Sequence, residues 1–386
     1  MELEFSAEQE ELRDGVRTVL TSECPPSLAR GIVEARLAGD HTTATGLAGG
    51  LWTQIVELGW AALTVPETAG GLGLGLVELA VVVEEAGRAL APTPLLPTIS
   101  QLVPAIRECG SRAQHEALLR PVAERGATGT LAVAEAGGGT DPAATTATAT
   151  PQPDGGYVLD GSKHFVMEAS AATEVVVVAR TPGSTGDDGV GAFVVPAGAL
   201  AIRPFAELDP SRELATVGLD GVSVPADRVL GTPGPATAAA LRRAVEEATV
   251  ALALESVGTA QTVFDISLEY AKQREQFGVP IGSFQAIKHK FADMLVLLER
   301  ARALGYFAAL TIAEDDERHT LATSMAKAAA GDAIARIAKE GIQVHGGIGY
   351  TWEHDMHLYV RRLESDAVLF GGATAHRAVV ADLIGV

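Results

Sequence analysis

Two segments in the last third of the chain have residue types and spacing that suit an anionic ligand. The first is Arg274-Glu275-Gln276-Phe277-Gly278-Val279-Pro280-Ile281, followed by Phe284-Gln285. A helix ending in a cation, a turn and the start of a new helix would present Arg274 and turn amides to a pyrophosphate. The spacing fits a structural role equally well, in which Arg274 only caps its helix dipole and Phe277 only fills core.

The second segment is Gln343-Val344-His345-Gly346-Gly347-Ile348-Gly349-Tyr350, in which three of four consecutive positions are glycine. Glycines at a helix end permit close approach of a ligand or of another backbone, although such a cluster is usually just a turn. Glu353, His354, Asp355 and His357 follow at once. Their order matches no known metal-ligand motif, so we interpret them as a solvated polar face and predict no metal site.

Helices are predicted on both sides of these segments, because apolar residues recur at helical spacing in the first and last thirds of the chain. In the first third, Ser6 is placed as an N-cap with Gln9 three residues later, and a long apolar helix covers 76–90. The last third predicts helices over 238–272, 284–310, 321–345 and from about 373. The first of these is apolar nearly all round from 245 to 263 and should be buried.

The middle of the chain has the alternative pattern of short β-branched runs between turn clusters. The predicted strands cover 130–133, 157–159, 175–179, 192–195 and 217–224, with a weaker strand over 143–150. We therefore predict an α+β fold with an N-terminal helical domain (1–125), a small β-barrel-like middle domain (126–233) and a C-terminal four-helix bundle (234–386).

Composition excludes several classes of partner. The chain has 386 residues and a formal net charge of −20, which argues against binding to nucleic acid or to an anionic membrane surface. Its two cysteines, Cys24 and Cys109, form no metal or disulfide pattern. Neither a secretory pattern nor a membrane-length apolar run is present, so we expect a cytoplasmic protein without membrane insertion.

Blocks along the whole chain resemble the acyl-CoA dehydrogenase family. Besides the two segments above, they are Leu58-Gly59-Trp60, Val65-Pro66-Glu67, Gly70-Gly71-Leu72-Gly73, Glu84-Glu85, Ala134-Glu135 with Gly139-Thr140-Asp141, Leu159-Asp160-Gly161-Ser162-Lys163, and 217–231. The resemblance implies an FAD enzyme that oxidises an acyl-CoA thioester to the trans-2-enoyl-CoA and passes electrons to an electron-transfer flavoprotein.

The resemblance also implies roles for particular residues. Matching positions in the family hold the FAD pyrophosphate and adenosine of the neighbouring subunit, and here they are Arg274, Gln276, Phe277, Gln285, Gln343, Gly346 and Gly347. Those expected on the flavin-ring side are Ala134, Thr140, Phe165 and Met167. Relatives usually have Thr-Glu-Pro and Trp-Ile-Thr where this chain has Ala134-Glu135-Ala136 and Phe165-Val166-Met167, so two hydroxyl donors are missing.

The usual catalytic glutamate is also missing. Its position, counted back from Arg377, is occupied by Phe370, which cannot take a proton. Some relatives carry the base on the first helix of the bundle, a position that falls on Ala248, with Glu247 beside it. A buried Glu247 with a raised pKa would suit a base, although an ion pair with Arg243, four residues earlier, is the structural alternative.

One half of the cofactor site is thus intact and the other is altered. This pattern resembles subunits of actinobacterial heteromeric (α2β2) acyl-CoA dehydrogenases of sterol side-chain breakdown, with Trp352-Glu353-His354-Asp355 and Phe370-Gly371 as further similarities. The leading hypothesis is a subunit of such an enzyme, acting on a bulky acyl-CoA, with a homotetramer as the alternative assembly. The alternatives are a non-catalytic partner that completes another chain's FAD site, or an acyl-CoA oxidase-like flavoenzyme.

Overall fold

The structure, a computed structural model, describes residues 5–386 and has helices at both ends of the chain with strands between them. The helices are α1 Ala7–Glu23, α2 Pro26–Leu37, α3 His41–Glu57, α4 Leu76–Arg88, α5 Leu95–Pro97, α6 Val103–Cys109, α7 Arg112–Gln114, α8 Arg120–Arg125, α9 Pro235–Gln273, α10 Gln285–Ala313, α11 His319–His345, α12 Met356–Asp366 and α13 Ala373–Ile384. The strands are β1 Gly129–Ala132, β2 Thr148–Pro151, β3 Tyr157–Met167, β4 Glu174–Arg180, β5 Val190–Pro196, β6 Ala201–Pro204, β7 Leu214–Val224, β8 Val229–Leu230, β9 Glu275–Gln276 and β10 Val279–Pro280. The predicted fold class is confirmed.

The described chain forms two compact units. One, the helical unit, combines residues up to 44 with 80–92 and 249–386, and the other, the sheet unit, combines 45–79 with 93–248. The division passes through α9 between Ala248 and Thr249. These two units combine separate segments of the chain and do not test a division into three consecutive domains. The boundaries expected at 125 and 233 therefore remain predictions.

In the helical unit, α4 and α9 cross with their backbones in direct contact. A Cβ on Gly87 would lie 2.0 Å from the Glu255 carbonyl oxygen, and one on Gly258 would lie 1.9 Å from that of Glu84. The Thr259 hydroxyl donates to the Gly87 carbonyl at 3.1 Å. Only glycine permits this approach. The close contact buries α9 along this stretch, as its apolar sequence predicts.

In the sheet unit, an eight-stranded sheet has the order β6-β7-β3-β2-β4-β5-β8, with β1 pairing parallel to β4. Both faces of β4 are buried: Val176 and Val178 lie in one apolar core, whereas Val175 and Val177 lie in another. A strand covered on both faces needs apolar side chains at every position, which is why this run does not alternate with polar residues.

Two sequence predictions are wrong in detail. The strand expected over 143–150 is reduced to β2, because Asp141 caps a short 3₁₀ turn at Pro142–Ala144. The polar face expected around 353–357 is not fully solvated, since His357 belongs to α12, is buried and stacks on Trp352 with ring centroids 4.6 Å apart.

Within residues 5–386, no helix combines the length and the apolar character that crossing a bilayer requires.

Candidate functional site

The Arg274 segment forms a two-stranded hairpin directly after α9. Strands β9 and β10 pair antiparallel, with Gln276 opposite Val279, and Phe277 and Gly278 make the turn. Both turn residues have positive φ, +55° and +79°, as two-residue hairpin turns require. Glycine adopts this conformation readily, but phenylalanine does so at a cost of about 1–2 kcal/mol.

The Phe277 side chain is 94% exposed and touches the edge of the Phe284 ring, with centroids 6.2 Å apart. The structural alternative, in which Phe277 fills core, is therefore wrong. A strained backbone that holds a phenyl ring in solvent is the kind of local conflict that is found at binding sites.

Arg274 has a fixed backbone and an exposed side chain. Its amide donates to the Tyr270 carbonyl and its carbonyl accepts from the Ile281 amide, each at 2.8 Å. Among residues 5–386, nothing forms an ion pair or hydrogen bond with its guanidinium. This cation is therefore free to meet an anion from outside the chain.

The start of α10 adds donors beside the hairpin. Phe284 occupies the N-cap position without a side-chain hydrogen bond, so no capping side chain satisfies the first amides of α10, and Gln285 is exposed there. Gln276 donates to the carbonyl of Glu275 at 2.8 Å and is also exposed. A pocket of about 460 Å³ lies in this region, and Lys272 and Lys288 contribute to its lining.

The glycine-rich segment ends α11. Gly346 has φ +62° and ψ −138°, a conformation that other residues avoid, and a Cβ on Gly346 or Gly347 would have no atom within 4 Å. These two glycines therefore leave open space above the backbone, and Gln343 is exposed in the last helical turn. Packing does not explain the first two glycines, whereas at Gly349 a Cβ would lie 3.1 Å from the His345 Cβ.

A stacked pair of rings joins the two segments. Tyr270, one turn before Arg274, stacks on His345, the residue before Gly346, with centroids 4.5 Å apart. His345 Nδ1–H donates to the Gly341 carbonyl at 2.8 Å, and burial lowers the pKa of the ring. Sequence reasoning did not select His345, although its four-residue spacing from Gly341 places both on one helical face.

In the sheet unit, the residues predicted on the flavin-ring side lie on two neighbouring stretches. The Ala134 carbonyl accepts the His164 amide at 2.9 Å, which places Ala134 beside Phe165 on β3. Phe165 has φ +57°, is 39% exposed and meets the Phe205 ring edge-on at 5.8 Å. Thr140 is half-buried in the loop that follows Ala134.

Met167 is buried, and its sulfur accepts a hydrogen bond from Gln101 Nε2 at 3.1 Å. Gln101 lies in a buried π-helical turn, Thr98–Leu102, and its Oε1 accepts from the Thr130 hydroxyl at 3.0 Å. Sequence analysis missed Gln101, although a single amide within an apolar helical run could have drawn attention to it. Inserted π turns are frequent at functional sites.

Glu247, the candidate base, is buried and forms an ion pair with Arg107 of α6. Burial raises the pKa of Glu247, while the positive charges of Arg107 and Arg243 oppose that increase. Arg107 lies far away in sequence, so the spacing argument could not identify it.

Phe370, which counting along the sequence predicts at the usual base position, contributes a phenyl ring and an anchored carbonyl. It has φ +54°, and its carbonyl accepts His376 Nε2–H at 2.9 Å. His376 Nδ1 lies 3.4 Å from the Ser324 hydroxyl. This arrangement fixes the loop but supplies no acid or base at Phe370 itself.

Models of one family match nearly the whole chain. The acyl-CoA dehydrogenase N-terminal domain matches residues 6–126, its middle domain 130–224 and its C-terminal domain 238–385. Acyl-CoA dehydrogenase IpdE2 of Mycobacterium tuberculosis is 34% identical over 364 residues, which cover 94% of this chain and 92% of that protein.

Solved structures give the same result. The ChsE4-ChsE5 complex from Mycobacterium tuberculosis matches with TM-score 0.86 and 25% identity, and the match covers 100% of both chains. A steroid acyl-CoA dehydrogenase, Tcur3481-Tcur3483, matches with TM-score 0.84 and 32% identity over 98% of this chain and 97% of the other.

Proposed function

The chain belongs to the acyl-CoA dehydrogenase family, and we propose that it is a subunit of an FAD-dependent enzyme that converts an acyl-CoA thioester to the trans-2-enoyl-CoA. Members of this family are oxidoreductases with FAD as cofactor. The observation that carries the proposal is the hairpin after α9, where an unpaired Arg274 and an exposed Phe277 stand beside uncapped helix amides.

The residues of the helical unit fit FAD. Arg274 and the α10 amides would neutralise the pyrophosphate, and the open backbone at Gly346 and Gly347 leaves space for a close approach. Gln276, Gln285 and Gln343 would supply amides, and Phe277 would supply a ring face. Bound FAD provides the oxidising chemistry, because it accepts the β-hydrogen of the substrate as hydride.

On the ring side, Ala134, Thr140, Phe165 and Met167 would bound the isoalloxazine. With alanine and methionine at two positions where relatives carry threonine, this side offers backbone groups and apolar surface instead of two hydroxyl donors. Apolar groups on this side would contact a flat ring but would polarise it less than hydroxyl donors would.

Within the proposal, Glu247 is the candidate base that takes the α-proton. Its burial and raised pKa suit this task, since a base with a pKa nearer neutrality is the more effective proton acceptor. With Phe370 at the usual position, no titratable group would be available there, so another carboxylate would have to act as the base. Replacing Glu247 with Gln in the assembled enzyme should lower kcat by about 10²–10⁴-fold with little change in substrate affinity.

A second candidate, favoured by the Arg107–Glu247 ion pair, is a non-catalytic partner that completes the FAD site of another chain. A buried glutamate that forms an ion pair with an arginine can simply be structural. Full activity of the assembled Glu247→Gln complex would show that Glu247 is not the base and would favour this second role.

We further propose that the enzyme is hetero-oligomeric, α2β2, with a bulky, sterol side-chain-like acyl-CoA as substrate and an electron-transfer flavoprotein as acceptor. Phe370 supports it, as do similarities to a two-protein complex and to a steroid acyl-CoA dehydrogenase. Co-expression of the chain with a partner subunit should give a yellow, active complex. A yellow, active homotetramer of this chain alone would contradict the heteromeric assignment.

A further inference from the structure

Lys163 of β3 is fully buried; burial lowers the pKa of its amino group, and the hydrogen bond and negative charge of Glu135 oppose that decrease. Its Nζ donates to the Val133 carbonyl at 3.2 Å, to Glu135 Oε1 at 2.8 Å and to the Thr145 hydroxyl at 2.7 Å. Three acceptors match the three donors of an ammonium, so its hydrogen bonding is complete. A buried lysine is costly unless it is paired in this way.

Glu135 accepts further hydrogen bonds from the residues that follow loop 136–144. Its carboxylate accepts the amides of Thr146 and Ala147, each at 2.9 Å, and the hydroxyl of Thr145 at 2.8 Å. Burial alone would raise the pKa of Glu135, but hydrogen bonds from Lys163, Thr146 and Ala147 outweigh it and lower the pKa to about 2. The group therefore stays ionised throughout the working pH range.

Together these contacts close the base of loop 136–144. Glu135 stands immediately before the loop, and the donors at 145–147 stand immediately after it. The loop contains Gly137, Gly138, Gly139 and Thr140. Across its base, the Ala134 carbonyl accepts the amide of His164, the residue that follows Lys163.

We propose that Lys163 and Glu135 are positioning residues for the flavin ring: their ion pair, buried at Lys163 and half-buried at Glu135, fixes loop 136–144 and Ala134 against the Phe165 stretch of β3. This inference rests on the proposed function. A buried ion pair adds little net stability compared with apolar residues of the same size, but it specifies one geometry. The two lost hydroxyl donors make such backbone geometry more important here, because the ring side has fewer side chains that direct the flavin.

The test uses the assembled complex of this chain with its partner subunit, with FAD as the probe. Lys163→Met removes the charge and keeps the stem of the side chain. Arg228→Met is the matched control, because it removes a cation that pairs with Glu174 at 2.7 Å in the same sheet, away from loop 136–144.

The first measurement is amide hydrogen exchange at Thr146 and Ala147. It should accelerate by about tenfold or more in Lys163→Met and stay unchanged in Arg228→Met, because Glu135 without its counter-ion would turn towards solvent and release these amides. The second measurement is the visible absorption and midpoint potential of bound FAD. Both should shift in Lys163→Met only, and the double variant Lys163→Met/Glu135→Gln should recover part of the wild-type exchange rate.

The outcomes separate the two levels of the proposal. Bound FAD with the same spectrum and potential in wild type and Lys163→Met would overturn the positioning role while leaving the proposed function intact. A wild-type complex that takes up no FAD would overturn the proposed function, and the positioning role with it. Unchanged exchange at Thr146 and Ala147 would show that the ion pair does not hold the loop.

Discussion

The sheet unit and the helical unit hold their predicted cofactor residues in different ways. In the sheet unit, side chains of this chain enclose them: Lys163 and Glu135 close the loop after Ala134, and Gln101 binds the sulfur of Met167. In the helical unit, Arg274 and Phe277 stand exposed on a hairpin. One region holds its predicted residues through hydrogen bonds and an ion pair within the chain, whereas the guanidinium of Arg274 in the other has no such contact within residues 5–386.

The difference indicates how substitutions should divide. In the sheet unit a change exposes or strands a buried charge, so its effect should fall on folding. On the hairpin of the helical unit, a change at Arg274 removes a group that water already solvates, so its effect should fall on binding.

The largest expected effect is on folding of the sheet unit. Arg107→Met leaves Glu247, which is only 3% exposed, without its ion-pair partner and should lower the free energy of unfolding by about 3–5 kcal/mol. Chemical denaturation measures it. Arg112→Met, which breaks an exposed pair with Glu116, should cost less than about 1 kcal/mol. Equal losses in the free energy of unfolding of both variants would show that burial of the Arg107–Glu247 pair does not increase the cost of breaking it.

The next effect tests the helical unit in the opposite sense. Arg274→Ala should weaken FAD binding to the assembled complex by about 10–100-fold, because a charge-assisted contact is lost, while the free energy of unfolding changes by less than about 0.5 kcal/mol. Titration with FAD and denaturation give the two numbers. Arg300→Ala, an exposed arginine that pairs with Asp332, should change neither. A large loss of stability in Arg274→Ala would contradict the description of this side chain as unpaired.

A smaller effect concerns the glycine-rich turn. Gly346→Ala should destabilise the fold by about 1–3 kcal/mol, because its backbone conformation at φ +62° excludes a Cβ even though the space is open. Gly347→Ala has the same open space and no positive φ, so it should change stability by less than about 0.5 kcal/mol. Chemical denaturation of the two variants separates backbone strain from crowding. Similar losses in the free energy of unfolding would show that strain is not the reason for glycine at 346.

The smallest expected effect is a difference in pH response. Burial lowers the pKa of His357, with Arg361 and Arg30 acting in the same direction and Asp355 opposing them. As the pH falls, the unfolded chain therefore binds this proton before the folded chain does. The contribution of neutral His357 to the free energy of unfolding is complete above about pH 6.5 and decreases as the pH falls below it. His357→Phe keeps the stack on Trp352 and should reduce the loss between pH 7.5 and 5.5 by up to about 1 kcal/mol.

The sheet unit provides the contrast for that measurement. The lowered pKa of Glu135, about 2, means that its contribution is complete above about pH 4.5 and is lost only as the pH falls towards 2. Hydrogen exchange at Thr146 and Ala147 should therefore stay slow at pH 5.5. If lowering the pH removed the protection of Thr146 and Ala147 before that of the α12 amides, the sheet unit would be the more acid-sensitive of the two.

Much of the fold follows from local pattern. Helical periodicity and the Ser6–Gln9 capping box predict α1, and the buried valines of 175–178 predict β4, because both depend on near neighbours. Helix α12 was missed because three of its polar residues, His357, Arg362 and Asp366, are buried, so its buried face does not read as apolar in sequence. The strand over 143–150 was overestimated because Asp141 caps a turn within it.

The candidate site could be predicted only in part for a related reason. The segments around Arg274 and Gly346 are continuous in sequence, so their residues were selected directly. The partners of Glu247 and Met167 are Arg107 and Gln101, which come from distant segments. Such contacts depend on tertiary packing, which spacing along one helix or strand does not encode.

The carboxylate of Glu135 has a consequence for how this protein can change during evolution or redesign. Because one side chain joins the residues before and after loop 136–144, the ends of the loop stay fixed whatever lies between them. Doubling the length of such a loop costs only about 0.6 kcal/mol in closure entropy. Insertions among Gly137–Gly139 can therefore reshape this edge of the pocket while the strands beneath keep their register.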